Sequence, residues 1–386
     1  MKKIYSIITA LSLLTASAFS EGYFMNRLGA SSDADGTEFS KDLFTVNEDD
    51  KSDLHFAEYA EFAYFWDMAE ITGVFAINNA AYENPKENIK AAGYGIFYPL
   101  SFLSVAAGND TRDRFSFSGA ELYTENEAFL LQGNPFIDGA GLIFDQKFGD
   151  VGVYALASLG AAKGAYLNAG ALVSYETDTF FASLQATVQN ILNKNDYYHY
   201  SVFGYLNAFG CDFGAGYISN YNDQNINNFD RDEVSAQDYL PLPSTHVIKL
   251  SARYSNDIFM VAFDGLTGLT DEYILNDDSK KLRAAYDAYT RYGLTPENPK
   301  DGSLGTNDNV PWLAAVKGGW FATEDISLYL KYSVARGNDF IHVIYPYADW
   351  TFGENSLFRL GARCKIDGDK FSVSVPLMWQ IKLNIN

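Results

Sequence analysis

The chain has 386 residues and a formal net charge of −21, which argues against nucleic acid as a partner. It contains 27 Tyr and 29 Phe against four His and two Cys, a composition that favours strands and membrane interfaces over metal or thiol chemistry. We therefore expect no cofactor, no metal and no enzymatic activity. Beyond residue 20 there is no run of about 18 apolar residues, so any membrane crossing must be made by strands.

The first 20 residues resemble an export signal. Lys2 and Lys3 precede a mostly apolar stretch over residues 4–14, and small residues lead up to Ser20. The apolar stretch is short for a membrane helix of about 20 residues. We predict a cleaved signal peptide over 1–20, with an uncleaved anchor as the alternative.

Residues 21–53 are rich in acids, for example Asp33, Asp35 and Glu48. We expect this acidic N-terminal segment either to supply a first strand or to plug the structure that follows. Its charge would also keep the exported chain soluble in transit.

Residues 54–386 alternate between apolar and polar residues with a period of two. The C-terminal stretch is the cleanest case, because a helical period of 3.6 would scatter both sets around its circumference. One face there carries Phe371, Val373, Val375, Leu377, Trp379, Ile381 and Leu383. The same alternation recurs at 246–254, 326–334 and 358–366, which is the weak but repeated signal of barrel strands.

Short turn signals separate these stretches, including Gly149-Asp150, Asn256-Asp257 and Gly368-Asp369. Strands joined by tight turns are antiparallel. We predict an all-β, single antiparallel up-and-down transmembrane barrel of about 18 strands, within about 14 to 20, at about 9 to 11 residues per crossing.

Turn lengths predict which end faces outward, because periplasmic turns are short and outside loops are longer. Counting back from a final descending strand puts the long stretches 221–243 and 266–311 on the outside. The same parity requires one more rising strand before Leu54, which we place within 38–46.

The longest loop contains apolar and aromatic residues at helical spacing over 282–292, which predicts a short helix. Such a loop either folds inward to narrow a pore or caps the outer rim. If it folds inward, its acidic residues Asp277, Asp278 and Asp287 are the candidates to face the lumen.

Basic residues collect on the less apolar side of the C-terminal strands. A cation facing lipid near the midplane costs roughly 2 to 4 kcal/mol, so these side chains should point into the lumen. They are Lys249, Arg253, Lys317, Lys331, Arg359, Arg363, Lys365 and Lys382. In so acidic a chain they predict a basic, pore-lining wall; the alternative is that some lie near strand ends and snorkel or pair with Asp367 and Asp369.

No pattern for catalysis or metal binding accompanies the four histidines, His55, His199, His246 and His342. The acidic stretch after Asp223 lacks the glycine and final acid of a calcium loop. Cys211 and Cys364 alternate in phase with apolar neighbours and are predicted to stay unpaired.

In its alternation and basic wall the chain from about Leu54 to Leu383 resembles a Gram-negative outer-membrane porin, without matching a named family by motif. The resemblance implies a bacterial outer-membrane location, passive diffusion of small polar or anionic solutes, contact with outer-membrane lipids and insertion by the barrel-assembly machinery. It leaves homo-oligomerisation open. The chain departs from the pattern by ending in Asn386 rather than an aromatic residue, and Trp379 is the candidate substitute.

Two alternatives to the porin remain at this stage. One is a plugged or narrow barrel that transports a hydrophobic ligand, as fatty-acid transporters do. The other is a surface adhesin that binds through its long loops.

Overall fold

The structure is a computed structural model, and it describes the following parts of the chain. They are residues 21–35, 54–78, 89–109, 118–124, 129–130, 139–160, 166–191, 199–219, 244–270, 272–275, 303–306, 310–336, 340–368 and 370–385. The predicted signal peptide lies outside these ranges.

The strands form one large antiparallel sheet and two small two-stranded sheets. The large sheet contains β1 (Glu21–Asp35), β2 (Leu54–Trp66), β3 (Ala69–Asn78), β4 (Ile89–Leu100), β5 (Leu103–Asn109), β8 (Gly139–Phe148), β9 (Val151–Gly160), β10 (Tyr166–Thr177), β11 (Phe180–Ile191), β12 (His199–Ala208), β13 (Cys211–Ser219), β14 (His246–Ser255), β15 (Phe259–Gly268), β18 (Trp312–Phe321), β19 (Ile326–Arg336), β20 (Phe340–Phe352), β21 (Ser356–Gly361), β22 (Arg363–Asp367) and β23 (Lys370–Ile385). The small sheets pair β6 (Glu121–Leu122) with β7 (Phe129–Leu130), and β16 (Glu272–Leu275) with β17 (Ser303–Thr306).

β21 and β22 are two halves of one barrel strand. Leu360 lies opposite Ala348 and Cys364 opposite Ile344, so the register is unchanged across the gap. The gap falls opposite Pro346, which has no backbone N–H to donate to the ladder. Counted this way the sheet has 18 strands, which confirms the predicted number.

β1 closes the barrel by pairing with β2 on one side and with β23 on the other. Leu28, for example, lies opposite both Glu58 and Trp379. Closure gives each described barrel strand a hydrogen-bonded partner on both sides and leaves no open sheet edge among them.

The position of the first strand differs from the prediction. We expected it within 38–46, but it is Glu21–Asp35, so this part of the acidic segment belongs to the wall and is not a plug. Alternation is weak in this strand because Tyr23 and Met25 make its inner face as apolar as its outer one. Residues 36–53 lie outside the described part of the chain.

Side chains along each strand alternate between two environments. On β19, Leu330 is 55% exposed and Tyr332 41%, while Lys331 between them is 2% exposed. The exposed apolar set therefore faces outward and the other set faces inward. The outward band includes Phe24, Ile71, Phe97, Leu142, Val173, Leu184, Leu250, Val261, Val316, Leu360 and Leu383.

At one end of the barrel, neighbouring strands are joined by tight turns. Gly149 and Gly353, at two of them, have φ of 62° and 63°, a left-handed conformation that glycine adopts without strain. At a third, the Asn256 side-chain oxygen accepts hydrogen bonds from the amides of Ile258 and Phe259, each at 2.9 Å. The long stretches predicted as outside loops both leave the opposite end, although β15 runs as far as Gly268, into the start of the second.

Among the described residues, no helix has the length and apolar character needed to cross a membrane. Both cysteines, Cys211 and Cys364, are free thiols as predicted.

Candidate functional site on the inner wall

The predicted basic residues all occupy the inward register of their strands. Lys249, Lys331 and Arg363 are 0%, 2% and 4% exposed. Lys317 and Arg359 are also buried, Arg253 and Lys365 are partly buried, and Lys382 is exposed near the short-turn end. The structure thus places these residues on the inside of the barrel, and their role in lining a pore stays a prediction.

Four of them lie on one cross-strand row, which we call the basic row: Arg253, Lys317, Lys331 and Arg363. Arg253 lies opposite Ala262, which lies opposite Lys317, and Lys317 lies opposite Lys331. Tyr345 then separates Lys331 from Arg363 by continuity of the same register. Like charges directly opposite each other disfavour folding, so a row of this kind has to be maintained by something other than stability.

Tyrosine rings pack against the basic row. Tyr329 and Tyr347 stack with ring centroids 4.7 Å apart, and Lys317 Nζ lies 5.1 Å from the centre of the Tyr329 ring. Tyr345 stacks on Tyr347 at 4.8 Å. Ring faces carry negative electrostatic potential, so they stabilise cations at positions with little water.

Arg359 is neutralised in place by a bidentate ion pair. Its Nε and Nη2 donate to the two carboxylate oxygens of Asp349 at 2.6 and 2.8 Å. The guanidinium also lies over the Tyr347 ring, with Cζ 5.1 Å from the centroid. Both partners are largely buried, so the pair is fixed and less screened than a surface bridge.

Arg253, which begins the basic row, is also held by an ion pair. Its Nη2 lies 2.8 Å from Asp212 Oδ2. Tyr205 and Asn207 each donate to Asp212 Oδ1 at 2.6 Å. The guanidinium is therefore oriented by a carboxylate that is itself saturated with donors.

Residues 118–124, which we call the inner segment, pack against the inner wall beside these cations. The segment comprises a 3-10 turn at Ser118–Ala120, the strand β6 and the turn residues Tyr123 and Thr124. Ala120, Leu122, Tyr123 and Thr124 are at most 3% exposed. A stretch between two barrel strands thus lies inside the barrel.

Two wall residues anchor the inner segment through its backbone. Asp264 accepts hydrogen bonds from the amides of Tyr123 at 3.1 Å and Thr124 at 2.6 Å, and also from the Ser251 hydroxyl. Lys249 Nζ donates to the Gly119 carbonyl at 2.9 Å. Asp264 and Lys249 are 1% and 0% exposed, and their hydrogen bonds to the backbone of the inner segment help to satisfy these buried charged groups.

Glycine on the facing strands allows this close approach. A Cβ at Gly214 would lie 3.2 Å from Lys249 Nζ and 3.4 Å from the Gly119 carbonyl oxygen. A Cβ on Gly119 itself would come within 3.0 Å of the Gly204 carbonyl. The absence of side chains at these glycines therefore lets the backbone of the inner segment approach the backbone of the wall closely.

The inner segment brings a carboxylate, Glu121, toward the cations. Burial raises the pKa of Glu121 above its ordinary value; Asp212 and Asp264 act in the same direction, whereas Arg253 and Lys249 oppose it. Burial likewise raises the pKa of Tyr123, whose ring lies 4.7 Å from Arg253 Cζ. The Glu121 carboxyl and the two cations thus lie near one another in a small polar region inside the barrel.

The remainder of the inner face has a different character. Glu61 on β2 and Glu70 on β3 are buried there, with the Tyr98 hydroxyl donating to Glu70 at 2.7 Å. Next along the wall lies an apolar cluster of Ile96, Ala106, Ile143 and Leu156. All the predicted cations lie on β14–β23, and Arg27 on β1 is the one other buried Lys or Arg among the described residues.

Sequence reasoning missed the inner segment. It assigned the constriction to Asp277, Asp278 and Asp287, which lie outside the described residues, as does the predicted helix at 282–292. The available signal was the length of the connection between β5 and β8, since long connections are often functional. In the described ranges no three His, Cys, Asp or Glu side chains are grouped to hold a metal ion.

A closed antiparallel barrel of 18 strands with an apolar outer band and a charged interior is the architecture of outer-membrane barrels of the porin class. Among the solved structures that share the fold is OccK8 (OprE) of Pseudomonas aeruginosa, with a TM-score of 0.53 and 11% identity, covering 95% of this chain and 99% of that one. The outer membrane protein OpdK of the same species has a TM-score of 0.53 and 9% identity, covering 95% of this chain and 99% of its own. OccAB1 of Acinetobacter baumannii has a TM-score of 0.52 and 10% identity, covering 95% of this chain and 97% of its own. No family model and no curated protein matches the sequence. The similarity is therefore one of fold.

Proposed function

We propose that this chain is a porin of the bacterial outer membrane that passes small polar or anionic solutes along its basic inner wall. The observation that carries the proposal is the concentration of cations on β14–β23, which hold five of the six buried Lys and Arg side chains among the described residues, in a chain whose net charge is −21. Insertion by the barrel-assembly machinery and self-association stay predictions beside it.

The basic row has the chemistry to attract anions. Its members lie side by side over neighbouring strands and face inward, so their potentials add in one region. Burying several cations so close together costs stability, and the tyrosine stack and ion pairs offset part of that cost. We expect such an arrangement where a passing anion is attracted by the combined positive charge.

The inner segment adds a carboxylate beside the basic row on the same wall. It brings Glu121 close to Arg253, so a solute moving along this wall would meet fixed charges of both signs. Anchoring by Asp264 makes this geometry fixed, which selectivity by charge requires.

Conductance in a planar lipid bilayer tests the proposal. Purified, folded protein should insert in uniform current steps, and a KCl gradient should give a reversal potential of the sign expected for anion preference. A folded barrel that inserts but stays electrically silent would overturn the porin assignment.

Charge removal in the basic row tests the mechanism. The combined variant K317Q/K331Q/R363Q is expected to lose most of the anion preference, because three of the four inward cations of the row are gone. A single-charge control is K147Q, which removes a cation away from the basic row, at the short-turn end, where Lys147 is exposed and paired with Glu176 at 2.7 Å. Unchanged selectivity in the triple variant would mean that the basic row does not border the ion path.

A second candidate, transport of a hydrophobic ligand, is favoured by one observation. The apolar cluster around Ile96 and Leu156 faces inward, with Tyr94, Tyr98 and Tyr154 packed against it. Quenching of a fluorescent fatty acid by the purified barrel, combined with the absence of current steps, would support this candidate over the porin.

A further inference from the structure

The apolar outward face of the barrel also carries charged side chains at the long-connection end. Of the Lys and Arg residues on the described barrel strands, only Arg336 falls on the outward register, at the last position of β19. A cation on the lipid face costs roughly 2 to 4 kcal/mol near the midplane and about 0 to 1 kcal/mol at the interface. Arg336 therefore belongs at the level of the lipid headgroups.

Aromatic residues on the same row support that placement. Trp312 lies opposite Arg336, and Arg336 lies opposite Phe340. The Trp312 and Phe340 rings meet edge to face at 6.1 Å, and Arg336 Cζ lies 5.6 Å from the centre of the Phe340 ring. Tryptophan and other aromatic side chains form the girdle of transmembrane barrels at the membrane interface.

An outward-facing histidine extends the cluster toward the apolar band. His342 lies next to Phe340 on the outward face, and their rings stack with centroids 6.1 Å apart. The Tyr332 hydroxyl and His342 Nδ1 are 2.9 Å apart, which orients the imidazole. The surface thus carries a guanidinium and an indole on one cross-strand row, with an imidazole and a phenol two and four residues further along the strands toward the apolar band.

We propose that Trp312, Tyr332, Arg336, Phe340 and His342 form a binding site for the phosphate of a lipid headgroup in the membrane leaflet at the long-connection end. Charge complementarity selects this occupant, because a phosphate is the anion that a membrane presents at the depth of the aromatic girdle. The proposal rests on the membrane location of the proposed function and not on its conductance.

A second copy of the chain is the competing occupant. The outward register of the described strands contains one acidic residue, Glu58 on β2, whose carboxylate accepts a hydrogen bond from the Asn26 side chain at 3.0 Å. Glu58 of a neighbouring barrel has the charge to meet Arg336. The experiment must therefore separate lipid binding from self-association.

Native mass spectrometry of the purified barrel in nonionic detergent makes this separation. The barrel is titrated with phosphatidic acid, which carries a phosphomonoester, or with phosphatidylcholine, whose phosphate is balanced by choline. The wild type should retain phosphatidic acid in preference. R336Q should weaken that binding about fivefold, as expected for one cation at a charged headgroup. K147Q, with the same loss of charge at the opposite end, should bind like the wild type.

Several outcomes would overturn the proposal. Equal retention of both lipids by the wild type would overturn selection of the occupant by headgroup charge, and wild-type affinity in R336Q would exclude a phosphate site at Arg336. Displacement of the lipid by millimolar inorganic phosphate would indicate an unspecific anion site. If E58Q and R336Q both dissociate an oligomer without altering lipid retention, the occupant is a second copy.

The result is separable from the pore assignment. R336Q should conduct like the wild type because Arg336 faces outward. A wild-type barrel that is electrically silent yet selects phosphatidic acid would overturn the porin while leaving the lipid site intact.

Discussion

Replacing Asp264 by asparagine is expected to release the inner segment from the wall. The carboxylate accepts two backbone hydrogen bonds from the segment, at 3.1 and 2.6 Å, besides that of Ser251. An asparagine of the same size keeps one acceptor oxygen but turns an N–H group toward donors. It also removes the negative charge that balances the buried Lys249.

The size of the effect follows from the charge-assisted bonds. Each hydrogen bond to a charged group contributes about 1.5 to 3 kcal/mol, and D264N weakens two of them. Allowing for the acceptor that remains, we expect the anchored state to lose about 3 kcal/mol relative to the released state. That is roughly a hundredfold change in their population ratio.

Single-channel recording measures this ratio. In the wild type one conductance level should dominate, whereas D264N should show frequent transitions to a second level, with the dwell-time ratio shifted by about a hundredfold. S251A is the matched control, because it removes one hydroxyl donor to the same carboxylate and leaves both bonds to the segment. Heat-modifiable migration on gels establishes that each variant is folded. Dwell times in D264N equal to those of the wild type would refute the anchoring role of Asp264.

Three further predictions concern the same interior. Because burial raises the pKa of Glu121, this carboxyl should lose its charge at a higher pH than an ordinary glutamate, and anion preference should increase as the pH falls through that range. E121Q should abolish this pH-dependent step in the reversal potential. A step that persists in E121Q would belong to another titratable group. The same sign means that anchoring of the segment is stronger at low pH and weakens as pH rises through the pKa of Glu121. R359Q should lower the free energy of unfolding in urea by about 3 to 5 kcal/mol, because Asp349 is left buried and charged without its partner. Adding D349N to the same chain should restore much of that loss. Additive losses in the double variant would show that the two residues do not act as a pair. G214V should displace the inner segment and change the conductance without altering net charge, whereas an unchanged conductance would show that the segment does not border the ion path.

Much of the fold was predictable because the period of two is a local property. Phe371 to Leu383 reveal their two faces within one strand, and a single exposed–buried–exposed triplet such as Leu330, Lys331 and Tyr332 has the same meaning in the structure as in the sequence. The first strand was placed wrongly where this signal failed, since Tyr23 and Met25 put apolar side chains on the inward face. The proline interruption opposite Ala362 also lay beyond sequence reasoning, because it depends on the residue across the ladder.

The candidate site was predictable only in part. Alternation was enough to assign Lys249 and Lys331 to the inner face, since a cation cannot be placed cheaply against lipid. It could not reveal what each cation contacts. Asp349 and Arg359 lie on neighbouring strands across a turn and were not paired from the sequence, although they are close together along the chain.

The sequence by itself determined that the chain makes two-faced strands joined by tight turns, their number to within about 14 to 20, and which side of each carries charge, because these properties depend on residues close together in sequence. Only the tertiary structure decided that residues 118–124 lie inside the barrel and that Asp264 anchors them. Tyr123 and Asp264 are 141 residues apart in sequence, and their contact depends on closure of the barrel and on the missing side chains of Gly119 and Gly214. Long-range pairing of this kind leaves no periodic trace along the chain.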